Sequence, residues 1–256
     1  IFRRYKFMNK LRSKELKRIA RQNLTGNYQN MMGGFLLIVL ISFVIDLPFS
    51  MLLDTVYATT AQKIMYYVAE ILISLIMSVL QIGLIHMHIM LINRKPVRAT
   101  DVFFCIKNHS DRFFGGAILY FVFSTIAQAP MIIARIFIGF SYEKIMTDIA
   151  LIATSAILMI ILSLTLPLYY YVLITDEQLS VFKCLTKAVS LMKGNILRLI
   201  YIELSFIGMF VLGILSLGIG FLWIEPYYQQ TITCMYMEIT GKLPDPDTDP
   251  VFDQYV

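Results

Sequence analysis

The sequence predicts an all-α fold, a polytopic membrane bundle of about six transmembrane helices with interfacial amphipathic helices. Three observations predict it. Of the 256 residues, 58% are hydrophobic and only 15% charged, where a soluble domain carries about 25% charged residues. Five windows, 22–45, 71–93, 113–134, 149–175 and 204–224, contain no Asp, Glu, Lys or Arg, and a membrane-crossing helix needs about 20 mostly apolar residues. The charges cluster between these windows, which leaves too few to cover a soluble surface.

The first four windows give spans 31–53, 67–92, 114–138 and 149–173. The region 198–240 is long enough for two crossings at 1.5 Å per residue. Gly218-Ile219-Gly220 at its middle predicts a tight turn between spans 198–217 and 221–240. The last arm carries Glu225, Gln229, Gln230 and Glu238. It is too polar to face lipid all round, so it is expected to be buried against other helices or interfacial. The chain thus divides into a basic segment with an amphipathic helix (1–30), a six-helix transmembrane domain (31–240) and an acidic, disordered tail (241–256), whose three prolines and lack of apolar periodicity oppose packing. Met8-Asn9-Lys10-Leu11 reads as a natural start, with residues 1–7 an upstream extension.

Loop charge sets orientation. Nine of the 22 Lys and Arg precede residue 22, and further groups lie in 93–113 and 175–197. The opposite side holds Lys63, Lys144 and Arg135. Both termini are therefore expected in the cytoplasm. The clustered basic charge points to a membrane surface and away from nucleic acid. Cys105, Cys184 and Cys234 are three and widely spaced, which argues against a disulfide framework or a zinc site.

A repeat runs through the chain. Val102-Phe103-Phe104-Cys105 recurs as Val181-Phe182-Lys183-Cys184, and a glycine follows each cysteine by ten residues, Gly115 and Gly194. Ala20 to Gly26-Asn27 has the spacing of Ala188 to Gly194-Asn195. The predicted unit is an amphipathic helix, a glycine elbow and a span, used three times. Apolar residues of 180–193 recur at helical spacing beside Lys183, Lys187 and Lys193, as in a helix lying at an anionic interface.

Residues 166–236 contain Leu166-Pro167, Tyr169-Tyr170-Tyr171, Thr175-Asp176, Ala188-Val189-Ser190-Leu191-Met192-Lys193-Gly194-Asn195, Leu204-Ser205-Phe206-Ile207-Gly208, Gly218-Ile219-Gly220-Phe221-Leu222-Trp223 and Pro226-Tyr227. This stretch resembles the DUF975 family of uncharacterised bacterial integral membrane proteins. Ala20 to Asn27 fits it too, whereas Met209 stands where an aromatic is expected. The resemblance implies a bacterial cytoplasmic membrane, and it carries over no activity and no catalytic residues.

Ionisable groups inside a bilayer are costly and are candidates for function. Here they are Asp46 before Pro48, His86 and His88 in the second span, Arg135 near the end of the third, Glu203 in the fifth and Glu225 beside Pro226. Asp46, Arg135 and Glu225 are expected to reach the interface or pair with one another. His86 and His88, two residues apart, point to different helix faces and do not form a metal pair. Glu203 is expected to snorkel toward the cytoplasmic interface. The tyrosines at 169–171, with Trp223, Tyr227 and Tyr228, are expected to form interfacial belts.

No catalytic constellation, phosphate-binding loop, cofactor site or metal cluster is recognisable. The leading expectation is a non-enzymatic membrane protein that transports, shields or organises a lipid or amphipathic peptide in the bilayer. A scaffold or subunit acting through a protein partner is the alternative. An intramembrane lipid-modifying enzyme using Glu203, Asp46 or Glu225 is the third reading.

Overall fold

The computed structural model of the chain describes residues 10–52, 59–108, 110–133 and 145–244. The described residues are helical and contain no strand. In chain order the helices are α1 (Ser13–Leu24), α2 (Tyr28–Leu52), α3 (Thr60–Ile92), a 3-10 turn (Ala99–Phe103), α4 (Phe104–Lys107), α5 (Ser110–Ile133), α6 (Ile145–Thr165), α7 (Tyr169–Thr175), α8 (Val181–Met192), α9 (Ile196–Leu215) and α10 (Phe221–Ile239). Five segments are long and apolar enough to cross a membrane: Tyr28–Pro48, Val68–Ile92, Ser110–Ile132, Met146–Thr175 and Ile196–Leu215. Four of the five carry many exposed apolar side chains along their length, as lipid contact requires, whereas Val68–Ile92 is exposed in its first half and largely buried from Val79 onward. The expected start at Met8 and most of the tail, 245–256, lie outside the described residues.

The described chain forms two compact units. The first contains residues up to Ser110 and from Tyr201 onward, and the second runs from Asp111 to Ile200. In the first unit α10 is the central helix, in contact with α1, α2 and α3. Pro226, Tyr227 and the whole run Gln229–Met237 are buried. Its polarity excludes it from the five segments that composition marks as spans, and burial against three neighbours is what accommodates that polarity. α9 and α10 form an antiparallel hairpin: Phe210 meets Phe221, and Phe206 meets Tyr227 and Tyr228, with centroids 5.1–6.3 Å apart. Leu217 and Gly218 turn the hairpin with φ of +53° and +90°.

In the second unit the expected fourth span is interrupted. α6 stops at Thr165 and α7 begins at Tyr169. The break falls at Pro167, which lacks an N–H and disfavours helix in the residue before it. Tyr169 N donates to Leu166 O across the break (3.1 Å). α5 and α6 are joined where the Met131 N–H donates to Ser155 Oγ (2.8 Å). Tyr169 and Tyr171 are fully buried, and Tyr169 and Tyr170 pack on Tyr120. The interfacial belt expected at 169–171 is instead an aromatic core, because α7 is covered by α8.

The two units share one local device. α1 and α8 are both 12 residues long, and each is followed by a type II turn and a long apolar helix. Thr25 (φ −57°, ψ 127°) precedes Gly26 (φ +79°), and Lys193 (φ −58°, ψ 118°) precedes Gly194 (φ +78°). Asn27 N donates to Leu24 O and Asn195 N to Met192 O, both at 2.9 Å. A type II turn needs positive φ at its third position, which glycine supplies without steric cost. Gly115 breaks the pattern. It lies inside α5, five residues after its start, and residues 99–107 form a 3-10 turn and one helical turn in place of a 12-residue helix. The elbow expected at Gly115 is therefore corrected to a helix interior.

Gly26 has no side-chain neighbour within 4 Å of an added Cβ, so only the backbone resists substitution there. Gly26→Ala is expected to lower stability by about 1 kcal/mol, the cost of a left-handed L-residue. Gly26→Asn should cost less, because asparagine tolerates that conformation. Thermal unfolding of the two variants in one detergent checks the order.

Candidate functional site

The first unit contains a polar layer around α10. His88 of α3 and Gln230 of α10 are both fully buried, and His88 Nδ1 lies 2.6 Å from Gln230 Oε1. An amide oxygen only accepts, so Nδ1 carries the proton and donates. That leaves His88 Nε2 as a bare acceptor and Gln230 Nε2 as a donor, neither with a protein partner among the described residues. Thr231 and Thr233 turn their hydroxyls back onto Tyr227 O and Gln229 O, a bond pattern that satisfies a hydroxyl within its own helix.

α1 docks on this helix. Its Ser13, Leu16, Ile19, Ala20, Asn23 and Leu24 are buried, at the spacing of one helical face. The Leu11 N–H donates to Glu238 Oε1 (2.7 Å), and Asn23 Nδ2 to Cys234 Sγ (3.8 Å). Lys17 Nζ donates to Ser205 O (3.1 Å) and sits 3.9 Å above the Phe206 ring. Arg21 Nη2 donates to the Tyr227 hydroxyl (3.4 Å), with its guanidinium carbon 5.6 Å from that ring's centroid. Burial, then the neighbouring Arg21, hold the Lys17 ammonium below its usual value. Arg12, Lys14 and Arg18 of the same segment are exposed, as are Arg94, Lys95 and Arg98 after α3. This is the basic end of the first unit.

The second unit is organised by Arg112 at the start of α5. Nε donates to Leu173 O (3.2 Å). Nη1 donates to Glu177 O (3.1 Å) and Leu179 O (2.5 Å). Nη2 donates to Asp176 O (2.8 Å) and Cys184 Sγ (3.4 Å). A guanidinium has five N–H donors, and all five are engaged. They collect carbonyls at and beyond the end of α7, where a helix leaves its last acceptors unpaired. Lys187 of α8 closes the same loop by pairing with Asp176 (2.7 Å).

The residues singled out from the sequence do not form one cluster. Asp46 is exposed on α2 and accepts from Ser42 Oγ (2.8 Å). His86 stacks on Phe104 at 3.8 Å and 6°, on a different face from His88. Glu203 and Glu225 both act electrostatically on Tyr228, and Glu225 Oε2 has no hydrogen-bond partner among the described residues. Arg135 lies outside the described residues, so the expected pairing of Asp46, Arg135 and Glu225 is not described. No group of three or more His, Cys, Asp or Glu able to hold a metal lies among the described residues. Sequence reasoning marked Gln230 as a polar residue of the last arm without naming a partner for it, and missed Arg112 and the pair Lys17 and Arg21. The last were visible as cations at i and i+4 on a helix whose counterpart is apolar there.

All three cysteines are free and buried. Burial pushes the Cys105 thiol up to about 12. Burial also raises Cys184, partly opposed by the charge of Arg112. The reactive species is the thiolate, so maleimide is expected to leave all three unmodified in the folded chain and to modify them after denaturation. Intact-mass measurement before and after denaturation checks this.

The family model for proteins of unknown function DUF975 matches residues 8–242. No curated protein and no solved structure matches the chain.

Proposed function

The chain belongs to the DUF975 family, and from that premise we propose that it is a non-enzymatic multi-pass protein of the bacterial cytoplasmic membrane. It holds or organises an anionic amphipathic molecule, a lipid or a peptide, at the cytoplasmic leaflet. The supporting observation is the twice-used module of basic amphipathic helix, type II turn and apolar span. In each module one helix face is buried in its own unit while cations remain outward: Lys14 and Arg18 on α1, Lys183 and Lys193 at α8. Such cations near a membrane surface each favour anionic headgroups by about 1 kcal/mol. Charge bias in the loops supports a cytoplasmic placement of the basic end and of both termini.

The test is lipid selection by the full chain. Extracted in mild detergent from a membrane of known composition, the protein should retain anionic phospholipid at a higher share than the membrane holds. Retention that mirrors bulk composition, together with no binding of an acidic amphipathic peptide, would refute the reading.

A further inference from the structure

Lys17 and Arg21 differ from every comparable pair in the second unit. Ala20, Gly26 and Asn27 correspond to Ala188, Gly194 and Asn195 at a constant offset, and the structures around the two glycines are the same turn. By that register Lys17 corresponds to Leu185 and Arg21 to Val189. In α8, Leu185 is part of the buried face. In α1 the same two positions carry cations, held toward the α9–α10 hairpin by Phe206, Ser205 and Tyr227.

Like charges at i and i+4 on a helix repel. The second unit's module neutralises its own loop with Lys187–Asp176. Lys17 and Arg21 have no carboxylate within ion-pair distance among the described residues. The hairpin's acids, Glu203 and Glu225, bear electrostatically on Tyr228, and neither forms an ion pair with Lys17 or Arg21 among the described residues. Lys17 uses one of its three donors on Ser205 O, and Arg21 one of its five on Tyr227. The rings beneath the two cations, Phe206 and Tyr227, are 5.1 Å apart, so the cations share one small region. Arg21 is exposed and Lys17 half-buried, so the cations are reachable from outside while the Phe206 and Tyr227 rings beneath them are buried. The Tyr227 hydroxyl accepts from Arg21 and keeps its own proton to donate.

We propose that Lys17, Arg21 and the Tyr227 hydroxyl form a binding site for a phosphate group, carried by an anionic phospholipid whose acyl chains lie against the α9–α10 hairpin. The guanidinium supplies paired donors suited to phosphate oxygens. The ammonium supplies a second charge, and the shared anion relieves their repulsion. The apolar outer face of the hairpin, Leu204, Ile207 and Val211, receives the acyl chains. This deepens the proposed function and rests on it: it names the headgroup chemistry and the residues that read it.

The experiment uses the full chain in phosphatidylcholine nanodiscs doped with phosphatidylglycerol, with retained lipid read by native mass spectrometry. Lys17→Leu with Arg21→Val installs the residues of the second module. It is expected to reduce phosphatidylglycerol retention about tenfold or more, from two lost interfacial cations, with phosphatidylcholine retention unchanged. Lys17→Arg with Arg21→Lys should retain the lipid. Lys95→Gln with Arg98→Gln removes the same charge from exposed positions after α3 and should also retain it. If the double apolar variant does not fold, Arg21→Val alone, at an exposed position, should still lower retention.

Equal retention by wild type and Lys17→Leu/Arg21→Val overturns the site, as does equal loss in the Lys95→Gln/Arg98→Gln control, which would mean diffuse charge. Stabilisation of detergent-solubilised wild type, but not of the apolar variant, by inorganic phosphate, with phosphatidylglycerol retention equal in both, would assign the site to free phosphate and remove the lipid. A wild type that retains neither lipid class refutes the proposed function itself. Retention that survives the substitutions refutes only the site.

Discussion

Arg112→Ala is expected to destabilise the second unit by on the order of 4 kcal/mol, because it removes charge-assisted bonds worth roughly 1.5–3 kcal/mol each. The five acceptors it leaves are the carbonyls of Leu173, Asp176, Glu177 and Leu179 and the Cys184 sulfur. Two features make the effect large. Asp176 O keeps the Leu179 N–H, but the carbonyls of Leu173, Glu177 and Leu179 lose their guanidinium donor at a helix end and in the loop beyond it, where the helical N–H partners have run out. The acceptors also come from a loop and two helices, so one side chain fixes the junction from α7 to α8. Arg112→Lys should recover less than half of the loss, since an ammonium has three donors and no planar fork. Thermal unfolding in a single detergent reads both variants, with a fall of about 10 °C for alanine at roughly 2–4 °C per kcal/mol. An unchanged midpoint for Arg112→Ala would show that the junction is held by α8 packing and Lys187–Asp176 alone.

Gly83→Ala should damage the first unit about as severely. An added Cβ there would lie 1.8 Å from Val102 O and 2.7 Å from Val102 C. These are backbone atoms of the 3-10 turn, so no side-chain rotation relieves the overlap. Ordinary overpacking costs about 1–3 kcal/mol, and a backbone clash of this depth requires α3 and the turn to separate. That separation would also disturb the His86–Phe104 stack and the contact of α2 with the same turn. Gly208→Ala is the matched control, because nothing lies within 4 Å of its added Cβ. The expected pattern is loss of monodisperse protein for Gly83→Ala and wild-type behaviour for Gly208→Ala, read by size-exclusion chromatography. Monodisperse Gly83→Ala with an unchanged melting point would contradict the close approach.

The apolar windows located the helices well, because length and absence of charge are what a span requires and are read residue by residue. Their ends moved where local chemistry intervened. α5 starts at Ser110 and not at 114, since Gly115 and Gly116 continue a helix that tight packing supports. Gly116 faces Leu173 at 2.4 Å from an added Cβ, a contact between residues far apart in the chain. α6 ends early for a reason that was legible, Pro167. The polar character of α10 was legible too, and burial was the right inference from it, but its covering helices could not be named. That α1 supplies part of the cover depends on pairings such as Leu11 with Glu238, which no local pattern announces.

The candidate site was less legible than the fold. Charged residues within spans drew attention, yet Asp46 turns to Ser42 on its own helix, and His88 found its partner in a neutral glutamine. Arg112 looks like an ordinary charge at the start of a span. Its role arises from five acceptors gathered by folding. The Lys17 and Arg21 pair is different, because comparison of the two modules within the chain exposes it. The glycine turns set the register, and within that register two apolar positions have become cations.

The proposed placement of the basic end and of both termini in the cytoplasm requires an even number of crossings, the five apolar segments together with α10. It is tested most directly by fusing a reporter active only in the cytoplasm after Tyr255 and, separately, within residues 140–147. Cytoplasmic termini give signal from the first fusion and none from the second. A silent fusion after Tyr255 would mean that α10 does not return the chain to the cytoplasmic side. Signal from within 140–147 would place that segment in the cytoplasm, and either result contradicts the proposed placement.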